Sequence, residues 1–178
     1  MGKWIAVCVL IALLGFAIVV FNDLVLARNR ARTAWADIDV QLQRRHDLIP
    51  QLAATVKGYA AHEQATLSAV TELRSRAQAA ASVEQRGRLE GELGAQLTQL
   101  LALQERYPGL KASANFLQLQ HDLVDTEDRL QAARSAYNEA ARVYNTQIES
   151  FPDVLLARPL GFGKLDYFQA TDREPVTV

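Results

Sequence analysis

The sequence holds one cysteine, and Cys8 lies inside its first apolar run. That excludes a disulfide framework and a thiolate cluster for metal, both of which need several thiols. Net charge is also scarce, with 19 Lys plus Arg against 20 Asp plus Glu. No field of one sign would draw such a chain to nucleic acid or to an acidic surface. Histidine is sparse as well: His46, His62 and His121 are far apart, and none stands in the His-x-x-x-His or Glu-x-x-His spacing that a metal site in a helical bundle uses. The serines have no base at helical spacing to activate them. "GFGK" at 161–164 falls short of a phosphate-binding loop, which needs G-x-x-x-x-G-K-S/T after a strand. We therefore assign no catalytic residue, metal or cofactor, and expect no nucleic-acid partner and no enzyme.

What the sequence does have is "WIAVCVLIALLGFAIVVF" at its start, an uncharged apolar run of 18 residues. As a helix it spans about 27 Å, against about 30 Å for a bilayer core. Trp4 and Phe21 sit at its ends, and Leu24-Val25-Leu26 extend it if the helix tilts. We read residues 1–27 as a short N-terminus and transmembrane anchor. A cleaved signal peptide is the competing reading, since Val25-Leu26-Ala27 has suitable spacing, but the run is longer than the usual apolar core and only Lys3 precedes it. Lys3 before the span and Arg28, Arg30 and Arg32 after it favour a single-pass protein with its N-terminus outside and its large domain in the cytoplasm.

Beyond the anchor the pattern is helical. Trp35, Leu42, Ile49 and Val56 recur every seven residues, with Ile38, Leu52 and Tyr59 on the companion seam. Leu67, Val70, Leu73 and Ala77 mark a second helix within 65–81. Ser82 with Glu84-Gln85 reads as a start, and Leu89, Leu93, Leu97, Leu100 and Leu103 as the apolar stripe of a third helix reaching Tyr107-Pro108. Phe116, Leu123, Leu130, Tyr137, Tyr144 and Phe151 form a row of sevens, with Leu119, Thr126, Ala133, Ala140 and Gln147 as companions, predicting a fourth helix from Pro108 to Ser150. The fold class is thus all-α: a transmembrane helix, an antiparallel up-and-down four-helix bundle with long helices over 28–152, and an irregular tail over 153–178 packing Phe162, Tyr167 and Phe168 onto it.

Several polar residues interrupt these faces. Pro50 removes one backbone hydrogen bond and crowds the carbonyl of His46, so the first helix should bend there. The freed carbonyl, with Arg44, His46 and Asp47, is a candidate notch. Gly58 reads as the end of that helix and His62-Glu63 as the first turn of the next. Arg45 falls on the companion seam between Ile38 and Leu52, where a charge needs a partner or an escape to water along its stem. Counting back from Ser150 brings Glu127 and Asp128 level with it, and a pair with either would fix the helix register. Asn138 and Asn145 follow the two tyrosines seven residues apart, as an amide ladder for another helix or as flanking residues bonded locally.

Three stretches together resemble the LemA family: "RNRARTAWADIDVQLQRRHDLIPQLAATVKGYAAHE", "ALQERYPGLKASANFLQLQHDLVDTEDRLQAARSAYNEAARVYN", and "IESFP" with the "GF" that follows. The resemblance implies a bacterial membrane protein with an N-terminal anchor, a short outside N-terminus, a helical bundle and no established reaction. Gln51 and Asp128 depart from the asparagines the family pattern leads one to expect, so a polar site using those amides would be altered here. The expected function is a membrane-anchored interaction or scaffolding module with a protein partner or a second copy, with a sensory or ligand-binding bundle as the alternative.

Overall fold

The computed structural model describes residues 1–168, and every regular element among them is helical. The first, α1 (Gly2–Tyr59), is unbroken for 58 residues, about 87 Å at the rise of an α-helix. Almost none of its apolar first stretch is covered by the rest of the protein. From Val20 onward a buried stripe appears on one face, through Leu24, Ala27, Ala31, Ile38 and Leu42 to Val56. Spacings of three, four and seven keep that stripe facing one neighbour.

The neighbour is α5 (Ala114–Glu149). Ile49, Leu52 and Val56 of α1 pack with Phe116, Leu119 and Leu123, Ile38 and Leu42 with Leu130, Tyr137 and Ala141, and Val20, Leu24 and Ala27 with Tyr144 and Ile148. Positions on α5 fall as those on α1 rise. The shorter α2 (Gln64–Gln78) and α3 (Val83–Ala102) cover only the end of this pair away from the apolar run, adding Leu67, Val70, Leu93 and Leu97 to the core there. Ser82 caps α3 by accepting from the Gln85 amide at 3.1 Å, while Gln85 reaches back to the Ala81 amide. The reciprocal satisfaction of two backbone donors explains why the helix starts there.

Several expectations change. The helix predicted over 108–150 is split into α4 (Pro108–Lys111) and α5, because Ser113 turns its hydroxyl to the Phe116 amide and restarts the helix. Tyr59 is exposed and Ala60 buried in its place. In the last turns of α5 the buried companions of Tyr137 and Tyr144 are Ala141 and Ile148, not Ala140 and Gln147. A straight helix drifts about 20° per heptad against a repeat of sevens, and the drift moves the seam by one position. Phe151 lies beyond the helix end and is exposed.

The tail is more ordered than expected. A short α6 (Val154–Ala157) follows α5, and Gly161, at φ 74°, turns the chain in a conformation that glycine adopts freely. Residues 163–168 then run back along α5. Asn145 gives its Nδ2–H to Leu165 O and takes the Leu165 amide on Oδ1, both at 2.8 Å. Asn138 holds Phe168 in the same way, at 3.1 and 2.8 Å. The hydroxyls of Tyr137 and Tyr144 donate to Asp166 O and Gly163 O, and burial pushes both phenols above their ordinary pKa, keeping them protonated donors. Seven residues of helix rise about 10.5 Å and three residues of extended chain about 10 Å, so the two repeats coincide. Phe162 and Phe168 are buried as expected, but Tyr167 is exposed. Residues 169–178, the end of the expected tail, lie outside the described residues.

Replacing Asn145 by alanine removes both bonds to Leu165. The Leu165 amide is expected to exchange with deuterium about fivefold faster, the size of one net hydrogen bond of about 1 kcal/mol, with a smaller change at Phe168. Unchanged exchange at Leu165 would rule out the ladder.

Candidate functional site

A buried charged layer crosses the domain where α1, α3 and α5 meet. Arg45 and Glu90 are each 1% exposed. The Nη1 of Arg45 donates to Glu90 Oε2 at 3.0 Å and lies 3.3 Å from Glu90 O. On the other carboxylate oxygen, His46 Nε2–H donates to Oε1 at 2.7 Å. Glu90 thus joins two consecutive residues of α1 to α3. The Nε of Arg45 lies 2.8 Å from Glu127 Oε1 on α5, but its N–H is out of line, so this contact is a charge pair and not an aligned hydrogen bond. Glu127 keeps 39% of its side chain exposed, which weakens the pair relative to the one with Glu90.

Two further arginines serve this layer. Pro50 has no N–H for the carbonyl of His46, and Arg74 of α2 supplies the missing donor through Nε at 2.8 Å. Arg134 of α5 stands over the Phe168 ring with its Cζ 5.1 Å from the centroid. Burial, and then the charge of Arg45, lower its pKa, while Glu127 and Glu90 act to hold its proton. Room for the Arg45 head comes from Gly94, where a Cβ would stand 2.9 Å from Arg45 Nη2.

Beside His46 a cavity of about 330 Å³ opens between α1, α2 and α3, lined by Asp39, Gln43, Gln78 and Arg86 among others. Arg86 and Asp39 form an ion pair across α3 and α1 at 2.6 Å. Asp39, Gln43, Gln78 and Arg86 bring both charges and two amides to one small space, a set suited to a small polar ligand.

The structure brings Arg45, His46 and Glu127 together. Asp128, level with Glu127 in the sequence count, is exposed, and Arg45 does not snorkel to the surface. Arg44 lies outside the layer, 3.5 Å from Asp125. Asp47 is exposed and accepts from Gln43 at 2.8 Å. Pro50 is exposed within an uninterrupted helix, and the carbonyl it frees is occupied by Arg74, so there is no vacant notch. His62 is exposed in the turn before α2, and Glu63 is the N-cap residue of that helix, not part of its first turn. Glu63 accepts from the Tyr107 hydroxyl at 2.9 Å and pairs with Arg106 at 3.2 Å. That hydrogen bond raises the pKa of Tyr107. Asn138 and Asn145 bond neither to another helix nor within their own turn, but to the backbone of Phe168 and Leu165 in the tail.

Glu90 and Arg74 were not anticipated. Counting back seven from Leu97 places Glu90 on the face of Leu93 and Leu97, a signal masked by the apolar Leu89 beside it. Nothing in the spacing of Arg74 announces that its target is a carbonyl on another helix.

An all-helical protein with a long apolar N-terminal helix and a buried ion layer is the class these features define. The chain belongs to the LemA family, whose sequence model matches residues 34–178. It is 27% identical to magnetosome protein MamQ of Magnetospirillum gryphiswaldense over 92% of this chain and 70% of that protein. It is 29% identical to protein LemA of Metamycoplasma hominis, over 88% of this chain and 72% of that one. Magnetosome protein MamQ 2 of Paramagnetospirillum magneticum is similar at 26%, over 93% and 70%.

Changing Arg45 to methionine leaves the Glu90 carboxylate buried without its cation. Unfolding in detergent solution is expected to show a loss of about 3–5 kcal/mol. Glu127→Gln, at a half-exposed partner, should cost about 0–1 kcal/mol. Equal melts for the parent and Arg45→Met would sink the assignment. Gly94→Ala separates two effects: the helix gains about 1 kcal/mol by propensity, but the new methyl drives the Arg45 head from its partners. We expect a lower melting temperature, whereas a higher one would show the arginine to be free to move.

Proposed function

We propose that this chain is a single-pass membrane protein whose helical domain, an antiparallel up-and-down bundle, acts as an interaction or scaffolding module for a protein partner or a second copy. One observation carries the reading: α1 runs without a break from an exposed apolar stretch into the domain's core. An exposed run of this length and hydropathy has no aqueous solution, because burying it is worth tens of kcal/mol, at about 25 cal/mol per Å². A bilayer supplies that burial. Arg28, Arg30 and Arg32 follow the span and favour a cytoplasmic domain in the inner membrane.

Inside the domain the charges neutralise one another. The bonds of Glu90 go to Arg45 and His46, which supports a packing role for the layer and not acid–base work. Surface apolar residues Val40, Leu117 and Val124 remain for a partner. The cavity beside His46 favours a second reading, a sensory bundle that binds a small polar ligand and passes a helix shift to the anchor. Filling the cavity with Gln78→Trp would silence that response without disturbing a protein partner.

A photo-crosslinking residue at Val124, in intact membranes, is expected to trap one defined protein or a second copy. Random products, or none, would count against the module. Orientation follows from Glu72→Cys in a Cys8→Ala background. Labelling by an impermeant thiol reagent only after lysis is expected, and labelling of intact cells would put the domain outside.

A further inference from the structure

The turn after α5 carries three large apolar side chains in the open: Phe151 is 79% exposed, Leu155 63% and Leu160 52%. Single apolar residues on a surface need no explanation, but a group within one turn does. The turn is firmly held from behind. Ala157 and Phe162 are buried against Val20, Leu24 and Ala27 of α1. Phe162 meets Phe21 edge to face at 5.9 Å, and Arg28 lies 4.8 Å over the Phe162 ring. These α1 residues mark the level at which the apolar run ends and the arginines begin. Where α1 passes from apolar to charged, the chain therefore holds a second apolar surface beside it.

We propose that the turn spanning 151–160 is a second membrane contact, in which Phe151, Leu155 and Leu160 enter the acyl edge of the leaflet that α1 leaves. The proposal rests on reading α1 as a membrane span. The partner is lipid because the surface is continuous with that span. The headgroup charge is unimportant: Asp153 and Arg158 are the charged residues of the turn and cancel, so insertion is driven by apolar burial and not by attraction to anionic lipid. A span by itself leaves a domain free to rotate about the helix axis and to tilt. A second contact displaced from that axis stops the rotation and fixes which face of the domain points along the membrane.

The test uses the full chain in nanodiscs of phosphatidylcholine, with and without phosphatidylglycerol. In a Cys8→Ala background, spin labels are placed singly through Phe151→Cys, Leu155→Cys and Leu160→Cys, all at exposed positions. Collision with oxygen, which partitions into lipid, is compared with collision with a water-soluble nickel chelate. Leu14→Cys reports the span, and Glu72→Cys, at an α2 side chain 72% exposed, reports water. The expected result is that the three turn sites and Leu14 favour oxygen, that Glu72→Cys favours nickel, and that anionic lipid changes neither. Turn sites open to nickel while Leu14 favours oxygen would overturn the proposal and leave the span intact. Leu14 open to nickel would overturn both. Turn sites shielded from both reagents would mean that protein, such as a second copy, covers the surface, and would overturn the lipid contact.

Discussion

A guanidinium with 1% of its surface exposed has to be neutralised where it lies, and Arg45 sits midway along the domain portion of α1. Its partners come from α3 and α5, so one buried residue of α1 touches both helices. Hydrophobic rows on α1 and α5 repeat along their length and would pack almost as well one turn out of step. The ion layer does not repeat. Slipping α5 by a turn would take Glu127 from Arg45, at a cost of about 0–1 kcal/mol for a carboxylate 39% exposed, while Glu90 of α3 continues to neutralise the guanidinium.

The register has consequences at the other end of the same helices. With Glu127 opposite Arg45, Tyr144 and Ile148 come to Val20 and Leu24, and the turn after α5 arrives where the apolar run of α1 stops. The Asn138 and Asn145 ladder then carries the tail back along α5, placing Phe168 against Trp35 and under Arg134. The ion layer, the turn after α5 and the tail thus follow one another along the same pair of helices.

Much of this was legible before any coordinates. The sevens in Trp35, Leu42, Ile49 and Val56, and in Phe116, Leu123, Leu130, Tyr137 and Tyr144, mark two helix faces because helical burial repeats with the turn. Arg45 on such a face required a partner or an escape to water, and counting along the helices led to Glu127 or Asp128, of which Glu127 is the partner. The rest was hidden for physical reasons. Glu90 stands next to Leu89 in a helix rich in leucine, and both are buried, so the apolar stripe accounted for the inward face without it. The carbonyl freed by Pro50 was foreseeable, but the arginine that fills it is 28 residues away in sequence. The tail depends on side-chain amides imitating a backbone, and that match between helix rise and extended chain has no signature in apolar periodicity. The exposure of Phe151 was missed because the row of sevens runs one step past the helix end.

The claim that charge, not apolar packing, sets the register is tested most directly by removing the layer altogether. Spin labels at Val40→Cys and Val124→Cys, in a Cys8→Ala background, report the α1 to α5 distance by pulsed dipolar spectroscopy. The account predicts one narrow distance in the parent. With Arg45→Met, His46→Leu, Glu90→Met and Glu127→Gln combined, it predicts a folded protein whose distribution broadens or splits by about one helical turn of 5.4 Å. A single narrow distance, unchanged in the variant, would contradict it and return the register to the apolar rows.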